Sequence, residues 1–295
     1  MPMTMQNQRT ISVGLGEWGF RNLPMRRHFE IARKFDCKWL EFGIGGDQVG
    51  RLPEFPDAGE IAEYRALNEE FGIATPFCCI ENDFTLAESG AHEEVLDKCR
   101  RQLVAAAECG ATHVRLFAGF TPAAEITPEI WSRMISAFEI MDSQCAGLGL
   151  TIAIETHGGI RFNDDGSATH INSVTTDPDC LRRLMEELPP RVGFNFDPGN
   201  IKAVRPDDPD CCLSILNERI NYCHMKDWSR QGDGWVAVAI GDDNLDYAPL
   251  FERMIFSGVY LIEYEPLHDC EDGIRRSLDY LERIGQGQNN LRFER

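Results

Sequence analysis

Apolar residues in this chain alternate between two rhythms. Short runs of strand length recur at Thr10–Val13, Lys38–Phe42, Ile73–Ile80, Thr112–Phe117, Leu150–Glu155, Val192–Asp197, Ile220–Met225 and Val259–Tyr264. Between them lie longer stretches with apolar residues at helical spacing. His92 to Cys109 sets Val95, Cys99, Leu103 and Ala106 on one face, and Pro128 to Cys145 does the same with Ile130, Met134, Ala137, Phe138 and Met141. Thr127 reads as an N-cap before Pro128 at the first helical position, and Glu129 adds favourable first-turn charge. Gly110 and Gly147 follow helical patterns, as C-terminal stop signals do. Eight strands alternating with helices predict a closed barrel or an open doubly wound sheet. The count of eight favours the (β/α)8 TIM barrel.

The 295 residues suit one such barrel, which typically takes about 250. No Pro/Ser-rich linker or low-complexity segment divides them. Thr175 to Asp179 and Val204 to Asp210 read as loops leading into helices. A single TIM-barrel domain over residues 1–295 is expected, with its core at 10–285. The polar tail from Gly285 to Arg295 either covers the barrel bottom or is loose. No apolar run approaches the roughly 20 residues that cross a bilayer. The first ten residues are polar and lack a signal-peptide pattern, so a cytoplasmic location is expected.

Charge narrows the partners. A net charge of −19, from 48 acidic and 29 basic residues, disfavours nucleic acid and anionic membranes, whose binding relies on clustered Lys and Arg. A small molecule is the expected partner, and a homo-oligomer is compatible with the sequence. The eleven cysteines include no Cys-x-x-Cys pair, and Cys78-Cys79 and Cys211-Cys212 are adjacent. Adjacent cysteines poorly suit one metal or a simple disulfide, so reduced, mostly buried thiols are expected.

Four strands of the second half end in metal-competent residues: Glu155, Asp197, His224 and Glu263, separated by 42, 27 and 39 residues. Each separation holds a loop, a helix, a return loop and a strand. Such residues at successive carboxyl ends are what a metal site at a barrel mouth requires. Three carboxylates and an imidazole form an oxygen-rich set for a divalent cation. Each residue alone has a bland reading: Glu155 as a rim carboxylate paired with a cation, Asp197 as turn chemistry before Pro198-Gly199, His224 as a core histidine. Alternation sends Glu265 to the same face as Glu263, so it is the alternative fourth ligand. His224 and Lys226 share a face, with Asp227 on the other.

Further candidates surround these. Asn200 could orient a hydroxyl or a bound water, His157 could contact substrate or relay a proton, and Lys226 could bind a substrate oxygen or offset the carboxylates. Arg115 is either a substrate contact or an internal partner of Glu41. His113, early in its strand, reads as structural. Trp18, Phe20 and Trp228 read as an apolar wall or as plain core. A rival pattern is Gly14-Leu15-Gly16-Glu17-Trp18-Gly19, a dinucleotide fingerprint with Glu41 at the distance of a ribose-binding acid. Pro24 within the required helix counts against an NAD-dependent dehydrogenase.

The segments Glu155-Thr156-His157-Gly158-Gly159, Asp197-Pro198-Gly199-Asn200, His224-Met225-Lys226-Asp227 and Ile262-Glu263-Tyr264-Glu265 together resemble the xylose-isomerase-like TIM-barrel superfamily, in its sugar phosphate isomerase/epimerase group. Trp39-Leu40-Glu41-Phe42-Gly43, Val114 to Gly119 and Ile240 to Tyr247 add to the likeness, which spans essentially the whole chain. The resemblance implies that Glu155, Asp197, His224 and Glu263 hold one divalent ion, Mn2+ first, with Mg2+, Co2+ or Zn2+ as rivals. It implies an enzyme of carbohydrate metabolism, an isomerase or epimerase that removes a proton beside the metal-bound carbonyl of a keto sugar or related polyol. Glu155 and Glu263 would act as the catalytic acid and base, and His157, Asn200, Lys226 and Arg115 would bind substrate. Family epimerases often carry His three residues after the metal Asp; Asn200 stands there instead. A dehydratase or lyase on a keto sugar or 3-keto glycoside is the alternative, followed by a non-catalytic sugar-binding barrel. The apurinic endonucleases of the superfamily use three zinc ions and extra histidines, and those histidines are missing here.

Overall fold

All eight anticipated strands form, and each runs parallel to its neighbours. The structure is a computed structural model describing residues 9–287 and 290–295. The barrel strands are β1 (Arg9–Leu15), β2 (Trp39–Ile44), β3 (Ala74–Ile80), β4 (His113–Leu116) and β5 (Thr151–Glu155), then β8 (Gly193–Phe196), β9 (Ile220–Met225) and β12 (Val259–Ile262). Pairing of Ser12–Leu15 with Val259–Ile262 closes the sheet. The loops after β5 and β9 carry two hairpins, β6 (Gly159–Phe162) with β7 (Ala168–Ile171), and β10 (Asp227–Gln231) with β11 (Gly234–Val238). These join through β7 and β11 into a four-stranded antiparallel sheet. Because both hairpins leave the carboxyl ends of barrel strands, this sheet stands at the barrel mouth. The chain's end forms β13 (Leu291–Glu294), parallel to the first residues of β1. The tail therefore lies against the barrel bottom.

Nine helices are found among the described residues: α1 (Met25–Lys34), α2 (Ala58–Phe71), α3 (Ser89–Glu108), α4 (Pro128–Leu148), α5 (Pro178–Glu187), α6 (Pro198–Val204), α7 (Leu213–Leu216), α8 (Tyr247–Arg253) and α9 (Cys270–Gly287). Thr127 caps α4 by accepting from the Ile130 amide, with Pro128 at the first position, as the sequence predicts. Gly110 follows α3 with a φ of 95°. The stop of α4 lies two residues beyond the expected one. Gly147 is helical, and Gly149 takes the left-handed cap with a φ of 72°, a conformation that costs glycine little. No described helix is long and apolar enough to cross a membrane. All eleven cysteines are free thiols, and nine are buried.

Helices and outward strand residues share one large apolar core. A separate layer, Phe77, Ala153, Tyr222 and Leu261, fills the barrel interior. Two residues further along β5, β9 and β12 the same face carries Glu155, His224 and Glu263, because side chains repeat with period two along a strand. An apolar plug thus forms the floor beneath the charged residues.

The glycine-rich run after β1 does not open a helix. Trp18–Phe20 form one 3-10 turn, and α1 begins only at Met25, after Pro24. The glycines serve backbone packing: a Cβ on Gly19 would stand 2.0 Å from the Tyr264 carbonyl oxygen. Gly19→Ala is expected to destabilise the protein by about 1–3 kcal/mol through overpacking, read as a lowered urea midpoint at unchanged slope.

Candidate active site

Four elements bring the anticipated ligands together. Glu155 ends β5, His224 lies near the end of β9, Asp197 follows β8 as the N-cap of α6, and Glu263 follows β12. One donor atom from each lies within 4.8 Å of every other, and all four residues are buried. His224 Nδ1 is 3.5 Å from Glu155 Oε1 and 3.4 Å from Glu263 Oε2. His224 Nδ1 lacks a hydrogen-bond partner. Orphaned polar atoms of this kind are costly unless a ligand satisfies them. The three-carboxylate, one-imidazole set therefore fits a divalent cation. Glu263 belongs to the cluster, while Glu265 stays outside it and accepts from Lys226 Nζ at 2.6 Å.

The local electrostatics agree with that fit. Burial, reinforced by Glu155 and Glu263, lifts the Asp197 carboxyl to about 7 although Lys226 opposes it. Burial alone would discharge the His224 imidazole, but Glu263 and Glu41 outweigh it and push its pKa up. A proton thus occupies the center of negative charge where a cation could sit.

The imidazole is aimed by a residue that strand-end reasoning did not assign to it. His224 Nε2 donates to Glu41 Oε1 at 2.7 Å, leaving Nδ1 free for a ligand, the usual second-sphere arrangement for a metal-binding histidine. The Tyr222 hydroxyl also donates to Glu41 Oε1, and the Glu17 amide donates to Oε2 at 2.9 Å. Glu41 was visible in the sequence as a strand acid, but no spacing rule links it to His224 across 183 residues. Glu41→Gln is expected to weaken metal affinity by about 10- to 100-fold, measured by competition with a chelator.

Arg115 does not pair with Glu41. Its Nε lies 3.1 Å from Glu155 Oε2, and its NH2 lies 3.2 Å from Glu81 Oε1. Arg51 links Glu81, at 3.0 Å, to buried Glu17, at 2.9 Å. A Cβ on Gly43 would stand 1.9 Å from Arg51 Nε, so β2 needs glycine there to admit the side chain. Glu17, Arg51, Glu81, Arg115 and Glu155 form an alternating charge chain that fixes Glu155 from behind. Removing one partner of a buried pair strands the other's charge, so each link holds the next in place. Glu81 stands directly after the apolar run of β3, the same strand-end signal that marks Asp197 and Glu263, whereas Arg51 lies in a loop and carried no such signal.

Asn200 lies behind the ligands, fully buried, and donates from Nδ2 to Glu155 Oε1 at 3.2 Å and Asp197 Oδ2 at 3.0 Å. It braces two carboxylates and does not line the cleft. Lys226 Nζ lies 2.6 Å from Glu263 Oε2 and 3.7 Å from Asp197 Oδ2, where it offsets the carboxylates. His157 packs edge-on against Phe117 and Phe120. Its Nδ1 faces the Gly158 carbonyl, and burial lowers its pKa. Asp227 pairs with buried Lys202 at 2.6 Å, away from the ligands. His113 stacks on Phe77 below the site, and Phe20 and Trp228 are buried.

His157, Arg115 and Lys226 line a cleft of about 220 Å3 together with Glu155, Glu263 and half-buried Trp18. That volume is below the roughly 300 Å3 at which pockets for drug-sized ligands begin, which suits a small molecule. Larger grooves on the α2 surface and at the barrel bottom, of about 490 and 480 Å3, lack converging ligands.

The family model described as xylose isomerase-like TIM barrel matches residues 29–284, and the chain belongs to that family. A xylose isomerase domain protein from Planctomyces limnophilus is 17% identical with a TM-score of 0.73, covering 96% of this chain and 99% of its own. The apo 3-keto-D-glucoside 4-epimerase from E. coli is 16% identical with a TM-score of 0.69, the coverage being 92% and 99%. The IolI protein with a bound zinc atom is 13% identical with a TM-score of 0.72, the coverage being 95% and 98%. These likenesses show the shared fold. A sequence search of curated proteins finds no match.

Proposed function

We propose that the protein is a divalent-metal-dependent isomerase or epimerase that moves a proton beside the carbonyl of a keto sugar or related polyol. The observation that carries this reading is the convergence of Glu155, Asp197, His224 and Glu263 on one point, with Glu155 and Glu263 also lining the cleft. Those four residues would hold the cation, which would supply Lewis-acid polarisation of a substrate carbonyl and so acidify the neighbouring C–H. Mn2+ suits the oxygen-rich set best, with Mg2+, Co2+ and Zn2+ as rivals. The structural neighbours named for a sugar epimerase and for bound zinc support the same reading.

The chain's own residues divide the work. Glu155, kept ionised by His224 and Arg115 against the effect of burial, removes or returns a proton as general base or acid. Glu263, held well below the usual carboxylate range by His224 and Lys226, serves the opposite transfer. Lys226, Arg115 and neutral His157 fix substrate oxygens. Asn200 keeps Glu155 and Asp197 in register. The test is a panel of keto sugars incubated with metal-loaded protein in deuterated water. Deuterium entry at the carbon beside the carbonyl is expected for at least one sugar, and its absence with every sugar would overturn the proposal. An unsaturated product in place of an epimer would move the enzyme to the dehydratases.

A further inference from the structure

The helix α6 follows Asp197 directly and carries Asn200, so one element of seven residues holds a candidate metal ligand and the brace of two ligands. A helix of two turns is marginal on its own and takes its place from what it packs against. One such contact is close: a Cβ on Gly199 would stand 2.5 Å from the Lys226 carbonyl oxygen. The helix therefore lies against the backbone that carries Lys226, whose ammonium group offsets Glu263 and Asp197. A slide of α6 along the junction of β9 and β10 would change the spacing of Asp197 from both His224 and Lys226.

Lys202, also on α6, opposes such a slide. It is buried, and its Nζ donates to Asp227 Oδ1 at 2.6 Å and to Asp243 Oδ2 at 2.5 Å. Asp227 is fully buried at the start of β10 and also accepts from the Trp228 amide at 2.8 Å. Its Oδ2 is buried without a hydrogen-bond partner, and Lys202 is its one ion-pair partner among the described residues. Asp243 lies in the loop between β11 and α8 and accepts from the Ser229 hydroxyl at 3.3 Å. One ammonium group thus joins α6, the first residue of β10 and the loop after β11. Both of its carboxylates stand outside the ligand cluster. Such a pair does not serve coordination, and a buried ion pair adds little net stability over apolar packing. What it does supply is a single register between the elements it joins.

We infer that Lys202 is a positioning residue: by clamping α6 to Asp227 it holds Asp197 at the spacing from His224 and Lys226 that a divalent cation needs. This inference rests on the metal site of the reading above and not on its sugar chemistry. The test measures Mn2+ affinity of the full-length protein by chelator competition in wild type, Lys202→Met, Asp227→Asn and the double variant. Urea unfolding of each metal-free protein runs beside it. Lys202→Met is expected to weaken Mn2+ binding by about 10- to 100-fold, the range for residues that orient ligands from behind. Asp227→Asn should weaken it too, and the double variant should bind no more weakly than Lys202→Met alone, because both changes break one clamp. Stability separates positioning from plain support. Lys202→Met leaves the charge of Asp227 buried and unpaired and should lower the urea midpoint, and the double variant should recover much of that loss. Its Mn2+ affinity should stay low. Wild-type affinity in Lys202→Met overturns the inference, as does affinity that returns with the midpoint in the double variant, or single losses that add in it. If the wild-type protein binds no Mn2+, Mg2+, Co2+ or Zn2+, the metal site and the inference fall together. If affinity follows the clamp while no keto sugar exchanges deuterium, the sugar reading falls alone and the inference stands.

Discussion

His224→Ala is expected to leave purified protein with about a tenth or less of its divalent metal and no measurable turnover, because metal binding depends on a preformed, correctly charged ligand set. The imidazole supplies the set's one nitrogen, and its Nδ1 is the buried atom left without a partner. Removing it takes the imidazole from between Glu155 and Glu263, leaving only Arg115 and Lys226 to offset the carboxylates, and leaves buried Glu41 without the ring it orients. Breaking such a buried pair costs about 3–5 kcal/mol, so a lowered melting temperature should accompany the loss. Elemental analysis after dialysis reads the metal, and circular dichroism confirms that the barrel persists. Full stoichiometry in the variant would show the site to be misassigned.

The same electrostatics set a pH dependence in the wild-type protein. Asp197 has a pKa raised to about 7 in the metal-free protein, chiefly by burial. A raised carboxyl pKa means that the folded state holds a proton the unfolded chain has released. Its ionisation therefore destabilises the metal-free protein as pH rises from the ordinary carboxylate range to about 7. A cation competes with that proton and satisfies the ionised form. The rise in melting temperature on adding Mn2+ should thus be larger at pH 7.5 than at pH 5.5, and a larger rise at pH 5.5 would contradict the assignment.

The second large effect concerns the two glutamates that line the cleft. With metal at saturating concentration, Glu155→Gln and Glu263→Gln are each expected to lower turnover by about 10²- to 10⁴-fold, the range of general acid–base contributions. The two losses should differ in kind. Epimerisation needs a proton removed on one face and returned on the other, so each variant should exchange deuterium with only one member of an epimer pair. Nuclear magnetic resonance of the recovered sugar reads this directly. Equal residual exchange with both epimers in both variants would show that the pair does not divide the two faces. A non-catalytic barrel would keep its ligand affinity in Glu155→Gln and show no exchange even in the wild type.

How far the chain could be read depends on the range of the interaction. The eight strands follow from short apolar runs, and the caps of α4 from Thr127 and Pro128, all of which act within a few residues. Gly147 and Gly149 show the limit of such signals: both suit a helix end, and the register of the last turn decided between them. Asn200 sits three residues after Asp197, close enough to be noticed. Its task depends on Glu155, 45 residues away, so it reads as a substrate contact until the strands are assembled.

The sequence by itself determined the alternation of strands and helices and the placement of Glu155, Asp197, His224 and Glu263 at strand ends, because strand period and loop length are local properties of the chain. Only the tertiary structure decided that Glu263 and not Glu265 joins the cluster, the pairing of Glu41 with His224, and the Glu17–Arg51–Glu81–Arg115–Glu155 chain of charges. Barrel closure brings these residues together from distant strands and loops. Buried charges then settle on whichever partners that closure puts within about 3 Å, since an unpaired charge in the interior is too costly to persist.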